Sequence, residues 1–204
     1  MKSDKVHYYD GYIYRKLVDS ANKELRSIIA GEIKPLSRVI DIGCGTGALV
    51  SELAKYCSVV VGIDASSKMI AFAEEGKQKK EIKNMYFFHG GIDYLARQSN
   101  KQFDYAVFSM SLHEMNHKER ISMLLEAKRI SKKIIIADFL VPQSSRISGL
   151  RVFLIEFIAG INHFKGYMDF RRSNGIDDLV YESNLKILSD KINSSKTVRI
   201  VVLE

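Results

Sequence analysis

A glycine-rich run near residue 40 has the residue types and the spacing of a ligand-binding loop. The run Asp41-Ile42-Gly43-Cys44-Gly45-Thr46-Gly47 leaves an apolar strand pattern and enters a helical one. Glycines let the backbone turn tightly and approach a ligand closely, and the start of the helix adds exposed N–H donors. The spacing Gly43-x-Gly45-x-x-Ala48 also satisfies the dinucleotide-binding fingerprint, so a nicotinamide-dependent oxidoreductase stays open as one alternative.

A carboxylate ends the next apolar stretch of the sequence. Asp64 lies about twenty residues beyond the glycines, where a carboxylate accepts hydrogen bonds from ribose hydroxyls in several classes of cofactor. The alternative is a local role, in which Asp64 caps the helix that begins near Ser67. The first interpretation makes Asp64 part of the same predicted site as the glycine run.

His113 is the ionisable residue whose position best suits action on a substrate. It follows the fourth predicted strand, and an imidazole suits proton removal near neutral pH. The alternative is a histidine that packs or caps at the start of a helix. The local sequence gives His113 no certain orienting partner, and we therefore favour the packing role.

Cys44 lies near the start of a predicted helix, a position that would lower the pKa of its thiol. We nevertheless expect it to act as a small filler in the loop rather than as a nucleophile.

Strand and helix patterns alternate along the first two thirds of the chain. Five predominantly apolar stretches are predicted as strands, at residues 38–42, 59–63, 85–88, 105–108 and 134–137. Such strands, when separated by helices, are typical of a parallel sheet covered on both faces. Right-handed crossovers then bring the carboxyl ends of all the strands to one edge, where ligands bind. The chain ends in a predicted hairpin of residues 185–189 and 197–202, with its turn at 191–195.

Composition restricts the class of protein further. The 204 residues are 46% hydrophobic and 27% charged, as expected of one globular domain. The net charge of +7 comes from scattered basic residues next to acidic ones, so nucleic acid is not the favoured partner. Two cysteines and no zinc-ligand spacing exclude a disulfide framework and predict no metal. The N-terminus begins no apolar run, and the stretch Val152 to Ile161 is too short to span a bilayer, so we expect a cytoplasmic protein.

Four segments together resemble the class I S-adenosylmethionine-dependent methyltransferases, of the small-molecule type 11/25-like kind. Residues 39–47 resemble the first family motif, with an acidic residue two places before the first glycine, where dinucleotide enzymes usually have an apolar one. Residues 62–69 resemble the second motif, residues 103–107 with 112–115 the motif of the fourth strand, and residues 126–136 the approach to the fifth strand. The terminal hairpin is similar to the final two strands of the family. The resemblance implies a single-domain, Rossmann-like, doubly wound α/β sheet of about seven strands, the last of them antiparallel.

The resemblance also implies roles for individual residues around S-adenosyl-L-methionine, whose product is S-adenosyl-L-homocysteine. Gly43 and Gly45 would line its methionyl part, with Cys44 in the same loop, and Asp41 would orient the loop or reach the amino group. Asp64 would hold the ribose hydroxyls, and Ala65 would pack on the adenine. The implied cofactor site is completed by Met69 of the second motif, Gly91, Ile92 and the carbonyl of Ser109. Many family members have Gly-Asp where this chain has Gly90-Gly91, so adenine recognition would rest on Ile92.

The acceptor of the methyl group is left open by the sequence. We divide the single domain into an N-terminal helical cap (1–35), a cofactor-binding half (36–140) and a substrate-side segment with the hairpin (141–204). Residues 150–172 are expected to supply a pocket for a small, apolar or aromatic acceptor, with Tyr167, Arg171 or Arg172 at its polar end and the N-terminal tyrosines on the opposite side. The alternative favoured for the apolar residues of this segment is packing in the core or at a dimer face, and the tyrosines could equally be packed or exposed without a role in the site. The alternatives are an RNA or protein methyltransferase and a non-catalytic cofactor-binding module. A monomer or a homodimer is expected.

Overall fold

The computed structural model describes residues 23–79, 82–145, 149–150, 152–153 and 161–204, with side chains from residue 164 onward in the last range. Its helices are α1 (Lys23–Glu32), α2 (Ala48–Leu53), α3 (Ser67–Gln78), α4 (Ile92–Leu95), α5 (His117–Ile130), α6 (Ile161–Arg172) and α7 (Ile176–Glu182). A short 3₁₀ helix (Leu112–Glu114) precedes α5. The strands are β1 (Arg38–Ile42), β2 (Val59–Asp64), β3 (Met85–His89), β4 (Phe103–Ser109), β5 (Ser131–Phe139), β6 (Ile187–Ile192) and β7 (Val198–Leu203).

The seven strands form one sheet in the order β3-β2-β1-β4-β5-β7-β6. The first five are parallel, and β7 lies antiparallel to both of its neighbours, β5 and β6. The order reverses at β1, because β2 and β3 lie on one side of it and β4 and β5 on the other. In such sheets the ligand crevice lies at the carboxyl ends of the strands where the order reverses. The predicted fold, including the antiparallel last strand, is confirmed.

Helices on both faces explain why the central strands are apolar at most positions. On one face, Ile40 and Ile42 of β1 pack in a core with residues of α5 and α7, whereas Val39 packs on the opposite face with residues of α1 and α2. Side chains alternate between the two faces of a strand, so a strand covered on both sides needs apolar residues at successive positions. No helix in the described ranges has the length and apolar character needed to cross a membrane.

Local capping fixes where two of the helices begin. The Ser66 hydroxyl accepts a hydrogen bond from the Met69 amide at the start of α3. At the start of α5, Asn116 and Glu119 form a reciprocal capping box. Such side chains satisfy amides that have no partner inside the helix, and a cap of this kind contributes about 1 kcal/mol.

The structure differs from the sequence prediction mainly after β5. The segment left without elements in the sequence contains α6 and α7, and β6 continues to Ile192, where the hairpin turn was expected. β6 is an edge strand with mostly exposed side chains, so its backbone pairing with β7 needs no apolar pattern. The helical pattern predicted before residue 23 lies outside the described residues.

Candidate active site

The glycine loop joins β1 to α2 at the reversal point of the sheet. Gly43, Gly45 and Gly47 have φ angles of 79°, 51° and 73°, in the left-handed region that favours glycine. The amides of Gly43 and Cys44 both donate to the Ile63 carbonyl, at 2.8 and 2.9 Å, and so fix the loop to the end of β2.

The three glycines of this loop have different surroundings. A Cβ on Gly43 would lie 2.6 Å from Cβ of Ser111, and one on Gly47 would lie 2.5 Å from Cζ of Phe87. A Cβ on Gly45 would have no atom of the described residues within 4 Å. Gly43 and Gly47 therefore allow tight packing of the protein, whereas Gly45 borders open space that a ligand can fill.

Asp64 ends β2 and faces the glycine loop. Its side chain is buried, with Oδ2 accepting a hydrogen bond from the Gly45 amide at 2.9 Å and Oδ1 accepting one from the Ser66 amide at 2.8 Å. Ser66, rather than Asp64, caps the following helix. The carboxylate thus holds the one glycine that borders open space, as expected of a residue in the cofactor site.

Asp41 lies on β1 and is 1% exposed. Its Oδ1 atom is buried and has no hydrogen-bond partner within the described ranges. Burial, and secondarily the neighbouring Asp64 carboxylate, raise the pKa of Asp41 to about 8. An uncompensated carboxyl group of this kind is unusual outside functional sites.

Cys44 packs against β2, with its Sγ 2.9 Å from the position a Cβ on Gly62 would take. Burial raises the pKa of its thiol well above the ordinary value, and the Asp41 and Asp64 carboxylates raise it further. The lowered thiol pKa expected from the helix start is therefore wrong. Desolvation, together with the nearby acidic groups, outweighs the helix dipole, and the thiol stays protonated.

The loop after β4 closes the other side of the glycine loop. Ser109, half-buried, ends β4 beside Ala137 of β5, and Met110 has a positive φ of 54°. The Ser111 hydroxyl donates to the Ile42 carbonyl at 2.9 Å. Ser111 was not predicted as part of the site, because nothing in the sequence marks a contact between segments so far apart in the chain.

The residues expected around the adenine lie at the neighbouring ends of β2 and β3. Ala65 is exposed, and its carbonyl is 3.1 Å from Nε2 of His89. Gly91 and Ile92 are half-buried at the start of α4. Met69 is only 5% exposed and belongs to the packed side of α3.

His113 has an orienting partner that its local sequence does not show. Its ring Nδ1 is 2.7 Å from Oδ1 of Asp138, near the end of β5. Asp138 is fully buried and also accepts hydrogen bonds from the amides of Leu112, His113 and Phe139. A carboxylate that accepts these bonds fixes the proton on Nδ1 and the orientation of the ring. The ring is 3% exposed and packs on Phe139, with 4.6 Å between centroids.

Asp138 could have been suspected from the sequence, because a charged residue interrupts the otherwise apolar run of β5. Its partner could not, since 25 residues separate it from His113.

Helix α6 is fixed to the 3₁₀ helix by Arg120, which is fully buried. Its Nε donates to the Leu112 carbonyl at 2.9 Å, and its two terminal nitrogens donate to the Gly166 carbonyl at 2.7 Å and to Asp169 at 2.9 Å. A Cβ on Gly166 would lie 2.6 Å from the His113 carbonyl, so the helix backbone contacts this segment directly.

The other residues expected at the acceptor pocket differ in their exposure to solvent. Tyr167 is buried, edge-on to Phe139, whereas Arg171 and Arg172 are exposed. The N-terminal tyrosines, and most of the apolar residues predicted between 150 and 160, lie outside the described residues. Within the described part of the chain, no group of three or more His, Cys, Asp and Glu side chains is arranged to hold a metal ion.

Comparison with known proteins supports the assignment of the glycine loop. A family model described as a methyltransferase domain matches residues 39–133. A probable cobalt-precorrin-6B C(15)-methyltransferase (decarboxylating) from Methanocaldococcus jannaschii is 28% identical over 139 residues, covering 66% of this chain and 70% of that protein. A ubiquinone biosynthesis O-methyltransferase from Pelagibacter ubique is 28% identical over 163 residues, covering 79% of this chain and 57% of that protein.

The chain spans from 14% to 70% of the length of the curated relatives it matches. Among solved structures, a SAM-dependent methyltransferase from Aquifex aeolicus superposes with a TM-score of 0.71 at 18% identity, covering 96% of this chain and 98% of that one. At this identity the likeness establishes the fold. The match to a methyltransferase domain over residues 39–133, together with this fold, supports a class I S-adenosylmethionine-dependent methyltransferase.

Proposed function

We propose that this protein transfers the methyl group of S-adenosylmethionine to a small organic acceptor. The observation that carries the proposal is the open space beside Gly45, next to the buried carboxyl groups of Asp41 and Asp64 at the end of the sheet. A small-molecule site in an open α/β sheet is expected at this point.

The described residues fit this cofactor. Gly45 offers a backbone without a side chain toward the open space. The buried Oδ1 of Asp41 has no partner among the described residues and suits the cationic amino acid end of the cofactor. A carboxylate has about four acceptor sites, and Asp64 combines contacts to two loop amides with a position suited to ribose hydroxyls. Exposed Ala65 and the half-buried Gly91 and Ile92 are assigned to the adenine, and the carbonyl of Ser109 to the amino group.

The bound cofactor supplies a methyl group on a positively charged sulfur, which is already activated for displacement. The protein therefore needs mainly to position the acceptor and to exclude water. The packing of α6 on the 3₁₀ helix, fixed by the buried Arg120, supplies a rigid wall on the acceptor side.

We assign to His113 the role of accepting a proton from the acceptor. Asp138 binds Nδ1 and fixes the proton there, which makes Nε2 the basic ring nitrogen. A base oriented by a third group is the usual arrangement for this task. The alternative favoured from the sequence, a packing histidine, rested on the lack of an orienting partner, and Asp138 is such a partner.

A small acceptor is favoured over RNA by the distribution of charge. Several basic side chains of the described residues are paired with acidic neighbours, as in Lys77 with Glu74, Arg129 with Glu126 and Lys132 with Asp104. Such pairs break up the continuous positive surface that phosphate backbones require. The names of the precorrin and ubiquinone relatives point in the same direction.

The test is transfer of tritiated methyl groups from S-adenosylmethionine into fractionated metabolites, RNA and protein. We expect label in a small-metabolite fraction, with release of S-adenosylhomocysteine. Label confined to RNA or protein would contradict the proposed acceptor class, and cofactor binding without transfer to any fraction would favour a non-catalytic module.

The matched control for this experiment is Asp64→Ala. We expect it to weaken cofactor binding by about 1–3 kcal/mol, the scale of lost charge-assisted hydrogen bonds. Calorimetry measures the dissociation constant directly. An unchanged constant would remove Asp64 from the cofactor site.

A further inference from the structure

Two carboxyl groups lie buried side by side at the ends of β1 and β2. Asp41 is 1% exposed and Asp64 is 8% exposed. The strands that carry them are paired in parallel, with Asp41 beside Gly62 and Ile42 beside Ile63. Two negative charges this close in a buried region repel each other and lose hydration, so one of the two groups is expected to be neutral.

Hydrogen bonding decides which of the two is neutral. Both oxygens of Asp64 accept backbone amides, from Gly45 and from Ser66, and such bonds stabilise the ionised form. Asp41 has a buried Oδ1 that accepts no hydrogen bond from the part of the chain that the structure describes. The ionised form of Asp41 is therefore the less stable one, and burial followed by the repulsion from Asp64 raises its pKa to about 8.

The other groups around Asp41 do not neutralise its charge. Among the described residues, Asp64 is the charged group that shifts the pKa of Asp41. Cys44 of the loop stays a neutral thiol, because burial raises its pKa as well. On the other side of β1, the β4 neighbour of Asp41 is the apolar Val107. His89, at the end of β3, contacts the Ala65 carbonyl. Its contribution to any proton release is tested with the variant His89→Gln.

We infer that the empty site keeps a proton on Asp41, and that a ligand with a positive charge at its amino acid end expels this proton when it binds. This inference rests on the proposed function, which gives the position of the ligand beside Asp41. In the exchange, the O–H bond of the carboxyl group breaks, the proton passes to the buffer, and the carboxylate pairs with the ammonium group of the ligand. Asp41 thereby makes the site select ligands that carry this cation.

The exchange has a defined pH dependence. Below the pKa of Asp41, each binding event must release a proton, so the affinity rises about tenfold per pH unit. The rise ends as the pH approaches that pKa of about 8, where the carboxyl group is already ionised in the empty site. A ligand that lacks the ammonium group leaves the proton in place, and its affinity stays constant over the same range.

The experiment is calorimetric titration of the protein at about pH 6.5, in two buffers with different heats of ionisation. The probes are S-adenosylhomocysteine, which has the ammonium group, and 5′-methylthioadenosine, which lacks the amino acid end. The difference in apparent binding heat between the buffers counts the protons released. We expect close to one proton with S-adenosylhomocysteine and none with 5′-methylthioadenosine.

Two variants complete the test. Asp41→Asn removes the titratable carboxyl group and keeps the size of the side chain. The variant should therefore release no proton on binding, and it should bind S-adenosylhomocysteine roughly 10- to 100-fold more weakly. Its affinity for 5′-methylthioadenosine should match that of the parent, which also shows that the variant is folded. His89→Gln should release the same proton as the parent.

The outcomes separate this inference from the proposed function. Binding of S-adenosylhomocysteine without proton release would overturn the inference and leave the cofactor assignment intact. Proton release that persists in Asp41→Asn, or disappears in His89→Gln, would also overturn it, because the proton would belong to another group. Failure of both probes to bind would overturn the proposed function, and the inference with it.

Discussion

The two sides of the candidate site are built in different ways. On the cofactor side, the glycine loop and Asp64 belong to consecutive strands, and the contacts between them are mostly made by backbone amides and carbonyls. On the acceptor side, fully buried polar side chains join segments that are distant in the sequence. Asp138 of β5 contacts His113, and Arg120 of α5 contacts Gly166 of α6. The cofactor side therefore depends on backbone conformation, and the acceptor side on a few long-range polar contacts.

The largest effect is expected from the acceptor side. His113→Ala should lower turnover roughly 10²- to 10⁴-fold, the usual contribution of a general base, and leave the affinity for S-adenosylhomocysteine unchanged. Steady-state kinetics with the identified acceptor and calorimetry measure the two quantities. Asp138→Asn should reproduce part of the loss, since it disturbs the orientation of the ring. A small loss of turnover, with a pH profile that matches the parent, would mean that His113 only packs.

The next effect compares two glycines of one loop. Gly45→Val should weaken cofactor binding at least about 100-fold, because a branched side chain would enter the open space and resist a positive φ. Circular dichroism should show a folded protein.

Gly43→Ala is the matched variant, since its Cβ would lie 2.6 Å from Ser111. It should lower the free energy of unfolding by about 1–3 kcal/mol, as overpacking does. If Gly45→Val kept its affinity and a native spectrum, the loop would not hold the cofactor.

An effect of similar size, on stability rather than on turnover or binding, is expected when the link between α5 and α6 is removed. Arg120→Met leaves the carbonyls of Leu112 and Gly166 without their donor, and should lower the free energy of unfolding by about 2–4 kcal/mol. Urea unfolding measures the change. Lys101→Met is a matched control, because it also removes a cation bonded to two backbone carbonyls, in this case at a more exposed position. It should lower the free energy of unfolding by less than Arg120→Met does. Equal losses in the two variants would contradict the special role of the buried arginine.

The smallest expected change is that in the free energy of unfolding per pH unit, caused by the ionisation of Asp41 in the absence of ligand. Its pKa is raised to about 8 by burial and by Asp64, from an ordinary value of 3.8. The folded state therefore holds a proton that the unfolded state loses between these values. Stability contributed by this group is complete at low pH and falls as the pH rises through this window, by at most about 1.4 kcal/mol per unit.

This pH dependence is checked by comparing unfolding free energies of the parent and Asp41→Asn at several pH values. The parent should lose stability relative to the variant as the pH rises toward 8. If the unfolding free energies of the two proteins changed with pH in the same way, Asp41 would be ionised in the folded state and would hold no proton in the empty site.

The sequence by itself determined the cofactor side. Strands β1 to β5, the glycine loop and the place of Asp64 could be predicted, because a strand buried on both faces must be apolar and a tight loop must use glycine. The tertiary structure alone decided that Asp138 orients His113, that Arg120 holds α6, and that Oδ1 of Asp41 lacks a partner among the described residues. These features depend on which distant segments meet and on how far water is excluded from them. Neither leaves a periodic pattern in the chain, so the chemistry of the acceptor side became visible only in the folded molecule.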